Sequence, residues 1–178
     1  MVTIRHELPS DALQREALLD LNFGMKRQRK TSQRLRDGRL PAEGLTFSAA
    51  DRNGRLIATL RLWDVIAGSA GPALLLGPVA VDSRYQARGI GRNLMEHAVA
   101  EARRLGHDAI MLVVDLAYYK RFGFSREAVT DLRLPGPVDR DRFLGLELTP
   151  GALDGAEGLV MAGGSSAGAE VDSIRATA

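Results

Sequence analysis

The sequence predicts an α/β fold, a mixed sheet with helices on its faces. Three observations carry that prediction. An Asp-Arg-Asn-Gly turn marks a hairpin, the apolar runs "ALLLGPVAV" and "DAIMLVVD" read as strands buried on both faces, and one amphipathic helix pattern joins the two runs. A chain of 178 residues suits one domain, able to bury roughly 70% of its unfolded surface.

"SDALQREALLDLNF" opens with Ser10 or Asp11 as N-cap and repeats Leu13, Ala17, Leu18 and Leu21 at helical spacing. "MKRQRKTSQRLRDGRLP" continues as a second, strongly basic helix. "LTFSAA" and "RLIATLRLWDV" form the hairpin, and "IAGSAGP" is a loop. "ALLLGPVAVDS" is a third strand, interrupted by Gly77-Pro78; proline cannot donate to a sheet ladder, so a bulge or splayed edge is expected there. From Gly91 to Leu105, the apolar positions Leu94, Met95, Ala98, Ala102 and Leu105 mark one helix face, with Gly106 as its stop. "DAIMLVVD" is the next strand, "LAYYKRFGF" a short helix ending at Gly123, and "FSREAV" and "RFLGLEL" two late strands. The order is α, α, β, β, β, α, β, α, β, β. Residues 1–149 make the domain; residues 150–178, rich in Gly, Ala and Ser, read as a weakly packed or disordered tail.

Composition excludes several classes. There are no cysteines, so neither disulfides nor thiolate metal sites exist, and His6, His97 and His107 lack metal-ligand spacing. No apolar run approaches the roughly 18 residues of a membrane span, and no signal-peptide core opens the chain, so a cytoplasmic protein is expected. With a net charge of only +2 the whole molecule is no polyelectrolyte binder.

"YQARGIGRNL" sits where an apolar strand gives way to the amphipathic helix. Three readings are open for Gln86, Ala87, Arg88, Gly89, Ile90 and Gly91. The plainest is a turn, since glycine adopts positive φ without steric cost. A dinucleotide fingerprint fails for want of a third glycine, and a Walker loop because no Gly-Lys-Ser/Thr follows. The third is an anion cradle: unpaired amides and the dipole of a helix N-terminus favour a phosphate or pyrophosphate, and Arg84, Arg88 and Arg92 add positive charge.

The stretch "LLLGPVAVDSRYQARGIGRNLMEHAVAEARRLG" resembles the signature region of the GNAT superfamily of N-acetyltransferases, Gln/Arg-x-x-Gly-x-Gly/Ala between a strand and a long helix. Gln86, Gly89 and Gly91 fill the three defined positions. "YYKRFGF" resembles the family's downstream motif, an aromatic-rich short helix ending in Gly-Phe. The two motifs span roughly residues 73 to 124, and the order of the flanking elements extends the resemblance over about residues 3 to 149. It implies a mixed sheet of six to seven strands with a splay between two central ones. It implies acetyl-CoA as co-substrate, its pyrophosphate on the amides from Gln86 to Gly91 and its pantetheine arm along the backbone of Val79, Ala80 and Val81. No metal is expected.

Direct transfer to an amine needs a neutral nucleophile, a polarised thioester and a protonated leaving thiolate. A phenol with pKa about 10 suits the last task, and the resemblance points to Tyr119, four residues before Gly123. The bland alternative is that Tyr118 and Tyr119 pack the core, as Phe122 and Phe124 are expected to do. The general base is less defined. Many relatives carry an acid on the strand that here reads "LLLGPVAV", and this strand has none. Asp115 closes the next strand at its C-terminal end, where sheet ligands bind; it is the candidate base, or else the cap of the short helix. Glu43 is a weaker candidate, Asp82 a surface residue, and a water chain without a dedicated base an alternative.

Lys26, Arg27, Arg29, Lys30, Arg34, Arg36 and Arg39 face one acid, Asp37, in the basic segment. Such a run is a solvated face, a selector for an acceptor bearing a carboxylate or phosphate, or a nucleic-acid patch. Nucleic acid is disfavoured by the lack of interleaved aromatics. The expected function is therefore acetyl-CoA-dependent N-acetylation of a small-molecule or protein amine, an anionic one among the options. The alternative is a catalytically idle acyl-CoA-binding sensor or interaction module. The sequence leaves the acceptor, acyl chain length and oligomeric state open, a homodimer included.

Overall fold

The hairpin that anchors the sheet is built as its turn residues require. In the computed structural model, which describes residues 1–168, Asp51 accepts through its carboxylate from the amides of Asn53 and Arg55, and Gly54 takes positive φ. This turn joins β2 (Thr46–Ala50) to β3 (Leu56–Ala67). β1 (Thr3–His6), not anticipated from the sequence, pairs antiparallel with β2. β4 (Pro72–Val81) pairs antiparallel with β3, β5 (Ala109–Val113) lies parallel to β4, and β7 (Phe143–Glu147) runs antiparallel to β5. β6 (Asp131–Arg133) and β8 (Glu157–Ala162) pair with each other, and β8 also pairs with the far end of β3. The result is a mixed α/β sheet of eight strands rather than six or seven.

Helix α2 (Ile90–Arg104) covers one face of the sheet. Its buried stripe of Ile90, Leu94, Met95, Ala98 and Ala102 packs with Phe47, Leu60, Leu62, Leu74 and Ile110. Leu105, expected on that stripe, is instead the C-cap and is partly exposed. Helix α1 (Ala12–Phe23) buries Leu18 and Leu19 against Leu56 and Ala80. Leu13 and Leu21, which the spacing placed inward, are solvent-exposed because this face is only two leucines wide.

Three expectations are corrected. The basic segment forms no second long helix: Gly24, at φ 72°, ends α1, and two short 3₁₀ turns follow at Met25–Arg29 and Thr31–Leu35. "FSREAV" is no strand; Ser125 makes an isolated bridge to Gly145 and Glu127–Val129 is a 3₁₀ turn. Residues 150–168 are not a loose tail, because the second sheet face needs a cover. Leu153, Ala156 and Val160 are buried there with Trp63, Leu75, Met111, Leu132 and Phe143. Residues 169–178 of the expected tail lie outside the described residues.

The sheet's defining irregularity lies at the middle of β4. Leu60 faces Val79 and Leu62 faces Leu76, so β4 holds an extra residue around Gly77-Pro78, the bulge the sequence announced. On its other edge β4 meets β5 only at Leu74–Ile110 and Leu75–Met111. Beyond Leu75 the two strands part, leaving one edge of residues 76–81 without a strand partner. This is the expected splay.

Candidate functional site

The chain leaves β4 through a tight turn that shapes a cradle. Asp82 accepts from the amide and guanidinium of Arg84, and Tyr85 donates its hydroxyl to Asp51, fixing this turn to the hairpin. Gln86 donates its side-chain amide to the carbonyl of Val81 at 3.1 Å, closing the loop back on the open strand edge. Ala87 then takes φ 59° and Gly89 φ 79°, and Gly89 is the N-cap of α2. A positive φ at alanine is uncommon and stores backbone strain. Its consequence is a concave run of amides. Among the described residues, nothing accepts from the amides of Gly89, Ile90, Gly91 or Arg92.

Electrostatics around the cradle differ from the expectation of three free arginines. Arg84 is paired with Asp82 at 2.7 Å and Arg92 with Glu96 at 2.8 Å. Arg88 lies over the Tyr85 ring, 5.4 Å from its centroid, facing a neighbouring hollow rather than the cradle cavity. Arg92 lines the cavity, and so does Arg121, which no sequence signal singled out and which stacks 4.4 Å above Tyr118.

That cavity, about 450 Å³, is lined by Val79, Val81, Gln86, Ala87, Gly89, Ile90 and Gly91, with Tyr118 and Tyr119 at its inner wall. These predicted residues are thus brought together. Ala80 is not among them; its side chain packs under α1 with Leu18 and Leu19. A side-chain carbon at Gly89 would meet no atom within 4 Å, so the space in front of the helix mouth is open. Open volume, free amides and a helix N-terminus fit a pyrophosphate.

A second cavity, about 160 Å³, adjoins the first and runs along the bulged part of β4. Leu75 to Val79 form one wall, Val113 and Val114 another, and Phe23, Arg27, Lys30, Ser32, Gln33, Arg36 and Arg142 the remainder. Tyr119, Val79 and Phe23 line both cavities. Burial, with Tyr118 adding to it, pushes the Tyr119 phenol up to about 12. The ring is held by Tyr118 at 5.0 Å, Phe122 at 6.0 Å and Phe124 at 6.4 Å between centroids. Phe124 is core as expected, and Phe122 is half-buried.

Asp115 stands apart. Its carboxylate accepts from the amide of Ala117 at 2.9 Å and caps the short helix α3 (Leu116–Tyr119). It lines a shallow hollow with Arg126, Asp141 and Arg142, not the cavity of Tyr119. No Asp, Glu or His lines that cavity, and Glu43 is exposed and lines neither space. Sequence reasoning missed Phe23, Arg121 and Arg142, whose roles come from tertiary placement alone. Among the described residues no cluster could hold a metal ion, and no helix is long and apolar enough to cross a membrane.

A splayed mixed sheet with an amide cradle at the foot of its central helix defines an acyl-CoA N-acyltransferase fold. The comparisons agree: the family model described as Acetyltransferase (GNAT) family matches residues 12–124. The chain therefore belongs to the GNAT family of acetyltransferases and is an acetyl-CoA-dependent N-acetyltransferase. It is 32% identical over 158 residues to the uncharacterized N-acetyltransferase YhbS of Escherichia coli K12, covering 88% of this chain and 93% of that one. The crystal structure of Escherichia coli YhbS in complex with CoA superposes with a TM-score of 0.76, covering 91% of this chain and 89% of that one at 32% identity. A GNAT family acetyltransferase from Brucella melitensis in complex with acetyl-CoA gives a TM-score of 0.67 at 27% identity, over 92% of this chain and 96% of that one.

Proposed function

We propose that the chain transfers the acetyl group of acetyl-CoA to a primary amine by direct attack, both substrates being bound at once. The observation that carries this reading is the sharing of Tyr119 and Val79 between the two cavities. One cavity has the free amides and open volume a pyrophosphate requires; the other is a small chamber on the bulged strand. The point where they meet is where a thioester and an amine would face each other.

In this reading the amides of Gly89 to Arg92 hold the pyrophosphate, and Ala87 and Gln86 shape the loop. The open edge formed by Val79, Ala80 and Val81 offers backbone groups to the pantetheine arm. The amine nitrogen bonds to the thioester carbon, the carbon–sulfur bond breaks, and Tyr119 donates its phenolic proton to the departing thiolate. Its raised pKa keeps it protonated until that moment. The nitrogen's proton leaves through water, which returns the phenol to its starting state.

No carboxylate is needed to deprotonate the amine. Lys30, Arg36 and Arg142 line the chamber, and their positive field disfavours an ammonium there. Asp115 is then a positioning residue: it caps the helix that carries Tyr119.

The test is calorimetric titration with acetyl-CoA followed by an amine panel read by thiol release. Binding in the micromolar range with turnover of at least one amine is expected. Binding without turnover across a broad panel of primary amines overturns the primary-amine assignment, and absence of binding refutes the proposed donor site.

A further inference from the structure

The seven cations of the basic segment read as one cluster in sequence, but the two 3₁₀ turns disperse them. Arg34 donates to the carbonyl of Pro135 at 2.6 Å, Thr31 to that of Pro137, and Arg39 to that of Gly164, so this segment is fastened across the β6–β7 connection and the stretch that follows β8. Arg27 enters the chamber wall already neutralised by Asp20 and Glu16. Lys30 and Arg36 also line the chamber, and Arg142 joins them from the far end of the chain.

Among the described residues no carboxylate forms an ion pair with Lys30, Arg36 or Arg142, and none lines the chamber. Among the described residues the Arg36 guanidinium donates only to Ser32, at 2.8 Å to the hydroxyl and 3.3 Å to the carbonyl, which fixes its fork. Burial pushes it down to about 10, with Asp37 opposing and Arg27 adding to the fall. Burial likewise lowers Lys30, with Arg142 and Arg36 contributing, and its ammonium rests 4.6 Å from the Phe23 ring centroid. Arg36 is half-buried whereas Lys30 and Arg142 are exposed, so the cost of gathering like charges around the cavity without a counter-ion falls chiefly on Arg36. The phosphates of acetyl-CoA are an unsuitable counter-ion, because their cradle opens on the other cavity.

We propose that the acceptor is a small primary amine bearing a carboxylate or comparable oxyanion, and that Arg36, aided by Lys30 and Arg142, holds that oxyanion while the amine faces Tyr119. This rests on the transferase reading above and names the substrate class for it. A guanidinium with a fixed fork binds such a group in two parallel hydrogen bonds, which a point charge cannot do. The chamber's volume of about 160 Å³, under a segment tied down at Thr31 and Arg34, suits a small molecule rather than a lysine on a folded protein.

The experiment uses the full chain and matched pairs: ω-amino carboxylic acids and aminoalkylphosphonates against the corresponding amides and diamines. Binding to the CoA-loaded protein is read by calorimetry and turnover with acetyl-CoA by thiol release. The acids or phosphonates should bind and turn over at least ten-fold better than the amides. Arg36→Gln should raise their KM by about ten- to a hundred-fold, the scale of a charge-assisted pair, with Arg36→Lys intermediate. Unfolding temperature and acetyl-CoA affinity report whether either variant has lost its fold. If acetyl-CoA binds and acids are not preferred over amides, or a lysine-bearing peptide is preferred, this inference is overturned while the transferase reading stands. If acetyl-CoA does not bind, the reading beneath it has failed.

Discussion

Trp63 donates its indole N–H to the carbonyl of Gly77 at 2.7 Å, within a buried setting. That bond spans the place where β4 carries its extra residue, so a side chain of β3 holds the bulge from which the open strand edge departs. Trp63→Phe keeps most of the apolar area but strands a buried carbonyl. A stability loss of about 1–3 kcal/mol is expected, measured by urea unfolding, with a higher KM for acetyl-CoA because residues 76–81 are no longer fixed.

Gly89 has open space in front of it but a backbone at φ 79°. Gly89→Val should therefore leave the chain folded, at a cost of about 1–2 kcal/mol for the left-handed conformation. Its side chain would occupy the space assigned to the pyrophosphate. Acetyl-CoA affinity should fall at least ten-fold by calorimetry, and an unchanged affinity would remove the cradle from the proposal.

Tyr119→Phe should lower kcat by about 10²–10⁴-fold, the range for loss of a general acid, with a much smaller effect on acetyl-CoA affinity. Since burial raises the phenol to about 12, its proton stays in place throughout ordinary assay conditions. The pH profile of kcat/KM should then rise with deprotonation of the acceptor amine and show no fall before pH approaches 12. A descending limb near pH 10 would mean a different acid.

Asp11 predicts the acid stability of the fold. Its carboxylate accepts from Arg5 at 2.6 and 3.0 Å, from the amide of Leu8 and from Ser48, and the Arg5 hydrogen bond above all lowers it to about 2. Unfolded, an aspartate titrates near pH ~3.9. The stabilisation is complete above that value and is lost as pH falls toward 2. Denaturant titrations from pH 5 to 2 should show this decline, and it should flatten in Asp11→Asn.

Val160 is wholly buried on β8, against the second sheet face. Val160→Ala should cost about 2 kcal/mol from two lost methyl-equivalents and the resulting void, read as a lower unfolding temperature. A neutral outcome would mean that β8 adds little to the core.

Much of this was legible in the chain. The Asp-Arg-Asn-Gly turn, the apolar runs and the stripe of Leu94, Met95, Ala98 and Ala102 are local patterns, and local patterns gave the hairpin, the central strands and α2. Gly77-Pro78 announced the bulge because a missing amide proton is a local fact too. What escaped depends on distant partners. β1 is four residues long, too short for a periodicity, and is a strand only because β2 lies beside it. The C-terminal segment looks too poor in large side chains to pack, yet Leu153 and Val160 suffice where an uncovered sheet face receives them. In the site, the Gly-rich loop is a local pattern whose residues, Arg88 apart, line one cavity, whereas Arg142 reaches the chamber from more than a hundred residues beyond Lys30. For Asp115 the sequence left two readings, base or helix cap, and its carboxylate caps the start of α3.

The two cavities meet at Phe23, Val79 and Tyr119 and share no other lining residue, so donor and acceptor occupy largely separate spaces. Under the proposed assignment, neither has to leave before the other binds. Turnover should accordingly follow a sequential rate law, with intersecting rather than parallel double-reciprocal lines, and no acetylated form of the protein should accumulate between the two arrivals.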